Sequence, residues 1–309
     1  MAEQYITIYP TPIVPVSDIN TLGTEYGLPL SANLFGSGTT TGVYSVAANS
    51  TSGQIYVLSN GGSVLIYNSN RTLNRTVTGF LSNQTSIRFN SDETLYGCIR
   101  YAAGSSAALR VMTTSTDIQS YTVTLTGMVT FDFNPNNSNV FVCTLVGVIS
   151  EYTNAGVLVG LPFTVTNVVR SRCVKRQPGT NRIWVSGDSG NDLLNRLSYF
   201  DATTRTVTNV TVPTAPVTGR QIGVITGMSF YGSRIFIHHS SARDSSTTAI
   251  SKMITEISDT GTVIAQWPIF GYQTNYSDGC VYQGYTKPVI LYSRLDNLTN
   301  DVVGTLILP

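Results

Sequence analysis

The sequence predicts an all-β fold, and three observations carry that expectation. Charged residues make up only 11% of the 309 positions, roughly half the share usual in soluble proteins. Val, Ile, Thr and Tyr are abundant instead, a composition suited to half-buried pleated strands. Short β-branched and aromatic runs recur at the length of a four-stranded propeller blade. Together these predict a β-propeller of six four-stranded blades over residues 25–309, one domain, preceded by an extended Pro-containing arm at residues 1–24. Seven blades are the alternative if residues 1–35 hold more than one strand.

The clearest element of each repeat is its second strand. It reads GQIYVLS at 53–59, TLYGCIRY at 94–101, NVFVCTLV at 139–146, NRIWVSG at 181–187, SRIFIHHS at 233–240 and KPVILYS at 287–293. With Tyr56, Tyr96, Phe141, Trp184, Phe236 and Ile290 as equivalents, the spacings are 40, 45, 43, 52 and 54. Turns rich in Asn, Asp, Pro or Gly precede most of these strands (NSDE, NPNNS, QPGT) and suit a reversal of the chain. The first strands are shorter, as in GVYSVAA, SIRFN, VTFDFN and VRSRCVK. Third strands read VLIYNS, ALRVMTT, GVISEYT, NRLSYFD, ISKMITEIS and VVGTLIL; fourth strands read TLNRTVTG, QSYTVTLTG, VLVGLPFTV, TVTNVTVP and VIAQWPI. The sixth repeat stops after its third strand. Residues 25–35, EYGLPLSANLF, resemble LVGLPFTV and are expected to complete it, closing the ring and covering two strand edges.

The apolar-aromatic strand followed by an aromatic-acidic hairpin such as YFDATT resembles the blades of NHL- and YVTN-type propellers. The resemblance spans most of the chain and rests on blade rhythm. It implies a disc around a central channel, with ligands met on the face of the second-to-third and fourth-to-first strand loops. No Trp-Asp dipeptide closes a blade, so the tryptophan–aspartate repeat pattern fits poorly. Propellers host many functions, so function must be argued from the residues.

The residues offer little chemistry. A net charge of +1 without a basic stripe argues against nucleic-acid binding. The start, MAEQYITIYPTP, does not read as a secretory signal, and no apolar run approaches the ~18 residues of a membrane span. Cys98, Cys143, Cys173 and Cys280 are far apart and read as small packed thiols, with no metal site among them. The two histidines, His238 and His239, are adjacent on a strand and point to opposite faces. One is expected in the packing and the other in a groove or solvent, which leaves no Ser-His-Asp arrangement. GDSGNDLLN offers Asp188, Asn191 and Asp192, and SGDSG partly matches an Asp-box, but the spacing favours a polar hairpin tip. Glu151 and Glu256 recur at equivalent third-strand positions and are expected to be solvated near the rim.

Loop length points further than motifs. Second-to-third strand connections are long in the second, fourth, fifth and sixth repeats and gather Asp188, Asp192, His239, Arg243, Asp244, Arg294 and Asp296 on one face, the expected binding face. No catalytic residue, metal ligand or cofactor is assigned. The reading is a non-enzymatic structural or interaction protein, a component of a virus particle binding neighbouring subunits or a host surface. It would be made in the cytoplasm and work on the virion or an extracellular surface. Its partners would be protein subunits and surface glycans, without nucleic acid or membrane insertion. A carbohydrate- or receptor-binding lectin is the alternative, and a propeller lyase or hydrolase the second.

Overall fold

Within each sheet of three or four strands among the described residues, strands adjacent in the sheet pair antiparallel, as a repeat of hairpins requires. A computed structural model describes residues 43–59, 63–70, 72–78, 84–100, 106–114, 119–188, 195–212, 221–222, 224–239, 249–250, 253–268, 279–282, 289–297 and 300–307. The arm at 1–24 and the expected closing strand at 25–35 lie outside them.

Blade one comprises β1 (Val43–Ala48), β2 (Ile55–Ser59), β3 (Val64–Tyr67) and β4 (Leu73–Val77). Blade two comprises β5 (Gln84–Phe89), β6 (Leu95–Arg100), β7 (Ser106–Thr113) and β8 (Gln119–Thr126). Blade three comprises β9 (Met128–Phe133), β10 (Val140–Thr144), β11 (Val148–Tyr152) and a two-residue β12 (Phe163–Thr164). Blade four comprises β13 (Arg170–Arg176), β14 (Arg182–Asp188), β15 (Asn195–Asp201) and β16 (Val207–Val210). Blade five comprises β18 (Ile225–Tyr231), β19 (Arg234–His239), β21 (Met253–Ile257) and β22 (Val263–Pro268). Short strands β17 (Gln221–Ile222) and β20 (Ala249–Ile250) form a separate parallel pair.

The last sheet contains β23 (Gly279–Tyr282), β24 (Val289–Asn297) and β25 (Asn300–Ile307). First strands touch in succession from β1 through β5, β9, β13 and β18 to β23, and β23 and β24 touch β1. The fold is a β-propeller with five four-stranded blades. The expectation of six such blades is corrected: the sixth sheet has three strands among the described residues, because the segment expected to supply its fourth falls outside them.

The wedge between blades is hydrophobic, and the second strand fills it from both faces. Tyr56 meets Phe89 and Tyr96 of blade two at ring distances of 4.9 and 5.1 Å. Phe141 meets Phe200 of blade four at 5.1 Å. Tyr56, Phe141, Trp184 and Phe236 occupy one register, paired with Ala47, Asp132, Lys175 and Ser229 of the first strands. The first strands of blades one, two, four and five carry an irregularity near their start, at Val43/Ser45, Gln84/Ser86, Ser171/Cys173 and Ile225/Gly227. Aligned on it, the residue of blade two equivalent to Tyr56 is Gly97, not Tyr96. A one-residue slip reverses a strand side chain, and Tyr96 accordingly packs back on blade one. The space before Gly97 is filled from blade three: a Cβ there would lie 2.9 Å from the Phe131 ring.

Polar groups stitch the same wedges. Ser45 Oγ accepts from the Ile87 N–H at 3.1 Å, and at the equivalent place Thr130 Oγ1 accepts from the Val174 N–H at 3.0 Å. Burial of such hydroxyls is tolerable because each meets a backbone donor.

Candidate functional site

The loop-face residues fall into three groups. Asp188 ends β14 and is fully buried, its Oδ2 accepting from Arg172 Nη2 at 3.2 Å, so it belongs to a buried ion pair and not to a polar hairpin tip. His239 ends β19, fully buried, with Nε2 3.2 Å from Thr255 Oγ1. Asp192, Arg243 and Asp244 lie outside the described residues. Arg294 and Asp296 are not in a loop: they lie in β24, where Arg294 pairs with Val302 and Leu295 with Asp301. The apparent long loop of the last repeat is a hairpin extension, its alternation of polar and apolar residues continuing the strands.

His238 is also fully buried, Nε2 2.9 Å from Ser229 Oγ, so neither histidine meets solvent. His238 is tied to the first strand through Ser229 and His239 to the third through Thr255. Glu151 and Glu256 likewise depart from the expected solvated rim. Glu151 Oε1 accepts from Asn134 Nδ2 and Asn139 Nδ2, both at 2.9 Å, and Oε2 from Arg205 Nη2 of blade four at 3.1 Å. Glu256 takes both arms of Arg234, at 2.7 and 2.8 Å. That pairing raises the Arg234 pKa above its ordinary value.

Cys98 and Cys143 are fully buried thiols. Burial pushes both upward, Cys143 to about 12. Cys143 Sγ donates to Ser171 Oγ at 3.1 Å. Among the described residues no group of three His, Cys, Asp or Glu could hold a metal ion. No helix among them is long and apolar enough to cross a membrane.

Two features were not anticipated. The first lies on the propeller axis, where the first strands place Ala47, Arg88, Asp132, Lys175 and Ser229 at one register. Arg88 donates from Nη1 to the Ile87 carbonyl at 2.9 Å, approaches Asp132 Oδ2 at 3.8 Å through Nε, and reaches Cys173 Sγ of blade four at 3.7 Å. Lys175 donates to the Gly279 carbonyl in the last sheet. Cations thus bridge non-adjacent sheets across the middle of the ring. Their signal in the sequence is a charge in the middle of an apolar first strand: SIRFN, VTFDFN, CVKR.

The second is a groove of about 490 Å³ between the first-to-second strand turns of blades two, three and four. Ser91, Pro135, Asn136, Arg176, Pro178 and Thr180 line it. Successive antiparallel strands reverse direction, so this groove opens on the face opposite the long loops. Its walls are fixed by short side-chain turns: Asn90 Oδ1 accepts from the Leu95 N–H, and Asn134 Oδ1 from the Asn136 N–H, both at 2.9 Å. Arg176 is half-buried. Asp132 Oδ2 accepts from its backbone N–H at 2.7 Å, and Nη2 donates to the Asn90 carbonyl at 3.4 Å. Its Nη1 is enclosed and has no hydrogen-bond partner.

These features define a β-propeller with a polar groove on its short-turn face and a charged axis. Solved chains resemble it widely; 1374 match, so the likeness itself selects no function. U3-55K is 8% identical, with 84% of this chain and 76% of that one covered at a TM-score of 0.58. The RRP9 WD40 repeats are 7% identical, with 84% and 75% covered at 0.58. Hydrazine synthase of Kuenenia stuttgartiensis is 13% identical, with 84% and 82% covered at 0.59. No protein-family model matches the sequence, and no curated protein is similar to it. WD40-type neighbours appear although no blade ends in Trp-Asp, because blade packing is set by strand pattern and not by that dipeptide.

Proposed function

We propose that the chain is a non-enzymatic interaction scaffold that binds other protein subunits in a larger assembly. One observation carries the reading: Asp188, Glu151, Glu256, His238 and His239 are each buried against a partner within the ring, while an open polar groove marks the surface. A general acid or nucleophile must reach substrate, and these groups are walled in. WD40-type neighbours in fold suit a scaffold, although likeness at this identity speaks to the fold alone.

The finer form of the proposal is a particle component, on a virion or other extracellular surface, whose arm at residues 1–24 lies on a neighbouring subunit. Residues 25–35 would supply the outer strand of the last sheet, beside β25. Kinship with the NHL and YVTN propellers rests on blade rhythm. The test is the protein isolated untagged from its native source and weighed by light scattering and mass spectrometry. A stoichiometric place in a large particle is expected. A monomer that binds glycans on an array would replace this reading with the lectin, and turnover of a glycan or polyuronate substrate would replace it with the enzyme.

A further inference from the structure

We infer that the groove between the turns of blades two, three and four is a docking site for an acidic peptide segment of a partner protein, anchored by Arg176. The inference rests on the scaffold reading and names the chemistry of its partner. Three observations carry it. The groove, at about 490 Å³, falls within the range of sites that take small ligands or short peptide segments, about 300–1,000 Å³. Arg176 is its one charged lining residue; the others are Ser, Thr, Asn, Pro and Gly. The guanidinium also keeps donor capacity, because Nη2 uses one N–H only, in a long bond to the Asn90 carbonyl at 3.4 Å. A half-buried guanidinium with a spare N–H gains a charge-assisted bond from a carboxylate that enters the groove.

The neighbouring acids do not compete. Asp92 Oδ1 accepts from the Thr94 N–H and hydroxyl, at 3.1 and 2.7 Å. Glu93 Oε2 accepts from Ser50 and from the backbone and hydroxyl of Thr51 in blade one. Asp132 holds the Arg176 backbone N–H and lies beside Arg88. Arg182, close in sequence, is paired with Asp259 at 3.2 Å and offers no comparable vacancy. Pro135 and Pro178 stiffen the two walls, since a fixed φ lowers the cost of holding them open. A guanidinium fork between rigid walls suits a Glu or Asp side chain carried on an extended segment.

The test selects random twelve-residue peptides displayed on phage against the full chain. The winners are then measured, as labelled synthetic peptides, on the wild type and on Arg176→Gln, Arg176→Lys, Asn136→Trp and Arg182→Gln. Enrichment of Asp and Glu is expected. Arg176→Gln should weaken binding at least about tenfold, in line with loss of a charge-assisted pair. Arg176→Lys should keep part of it, and Arg182→Gln should stay within about twofold. Asn136→Trp fills the groove from an exposed wall and should block binding without touching Arg176, so the test survives if the arginine variants fail to fold. Peptides that are neutral, or that bind all variants alike, would overturn this site and leave the scaffold reading standing. Recovery of no peptide at all would count against both.

Discussion

Arg205→Ala should loosen the joint between blades three and four. Arg205 sits in the turn after β15 and donates to Glu151 Oε2 at 3.1 Å, the Val159 carbonyl at 3.1 Å and the Leu161 carbonyl at 2.7 Å. Its guanidinium also lies 5.7 Å from the centre of the Phe163 ring. Removing one partner of a buried pair costs about 3–5 kcal/mol. Two facts reduce that figure. Glu151 keeps both asparagine donors on Oε1, and the Arg205 side chain is 28% exposed, so water replaces part of the contact. About 2–3 kcal/mol is the expected cost, and at about 2 °C per kcal/mol for a domain this large the melting midpoint should fall by about 4–6 °C. Arg205 also has φ +59°, a left-handed conformation that disfavours any side chain. Arg205→Gly should therefore be less damaging than Arg205→Ala, by about 0.5–1 kcal/mol. Calorimetry on wild type, both variants and Glu151→Gln, read as a double-mutant cycle, decides the matter. A melting point for Arg205→Ala within 1 °C of wild type, or glycine worse than alanine, would refute the clasp.

Enlarging Gly97 should overpack the blade two–three wedge: Gly97→Val is expected to cost at least about 1–3 kcal/mol, and pairing it with Phe131→Leu should recover part of the loss in a denaturant titration. Thiol modification of the native protein by iodoacetamide at neutral pH should begin at half-buried Cys280, whereas Cys98 and Cys143 should react only on unfolding, as read by peptide mass mapping. Asp201 accepts from the Thr204 and Thr203 N–H groups, which holds its carboxyl below the usual carboxylate value in the folded chain. Its contribution is present above the unfolded carboxylate pKa and is lost as pH falls through the lowered folded one. Asp201→Asn should therefore flatten the acid limb of stability; an unchanged slope in melts from pH 6 down to pH 2 would contradict this.

The blade rhythm was legible because each strand is short, β-branched and bounded by turn residues. The strands quoted from the sequence overlap the structural ones throughout the five four-stranded blades, and ISKMITEIS contains the strand β21. Register was not legible. The second strands are buried on both faces, as β2 shows along its whole length, so no polar alternation marks which side chain points forward. Tyr96 therefore reads as the equivalent of Tyr56, although Gly97 holds the place. The equivalence of Glu151 and Glu256 is legible in the sequence but their burial is not, because the arginines that satisfy them come from a turn in the next blade and from the second strand, with no local signature.

The site was the least legible part, for a physical reason. Loop length drew attention to the face where Asp188 and His239 lie, yet both side chains are buried against their own blade. Long loops vary because little holds them; short turns are held. In two of the turns that frame the groove Asn90 and Asn134 bond back to their own backbone, and in the third the Thr180 hydroxyl donates to the Gln177 carbonyl, which keeps Pro135, Asn136 and Pro178 in place before any partner arrives. Binding to walls that are already ordered avoids the entropy of ordering them. The charge that gives the groove its sign follows from strand pattern too: Arg176 is the last residue of β13, where the strand's inward run of Cys173 and Val174 ends and the chain turns out to the surface.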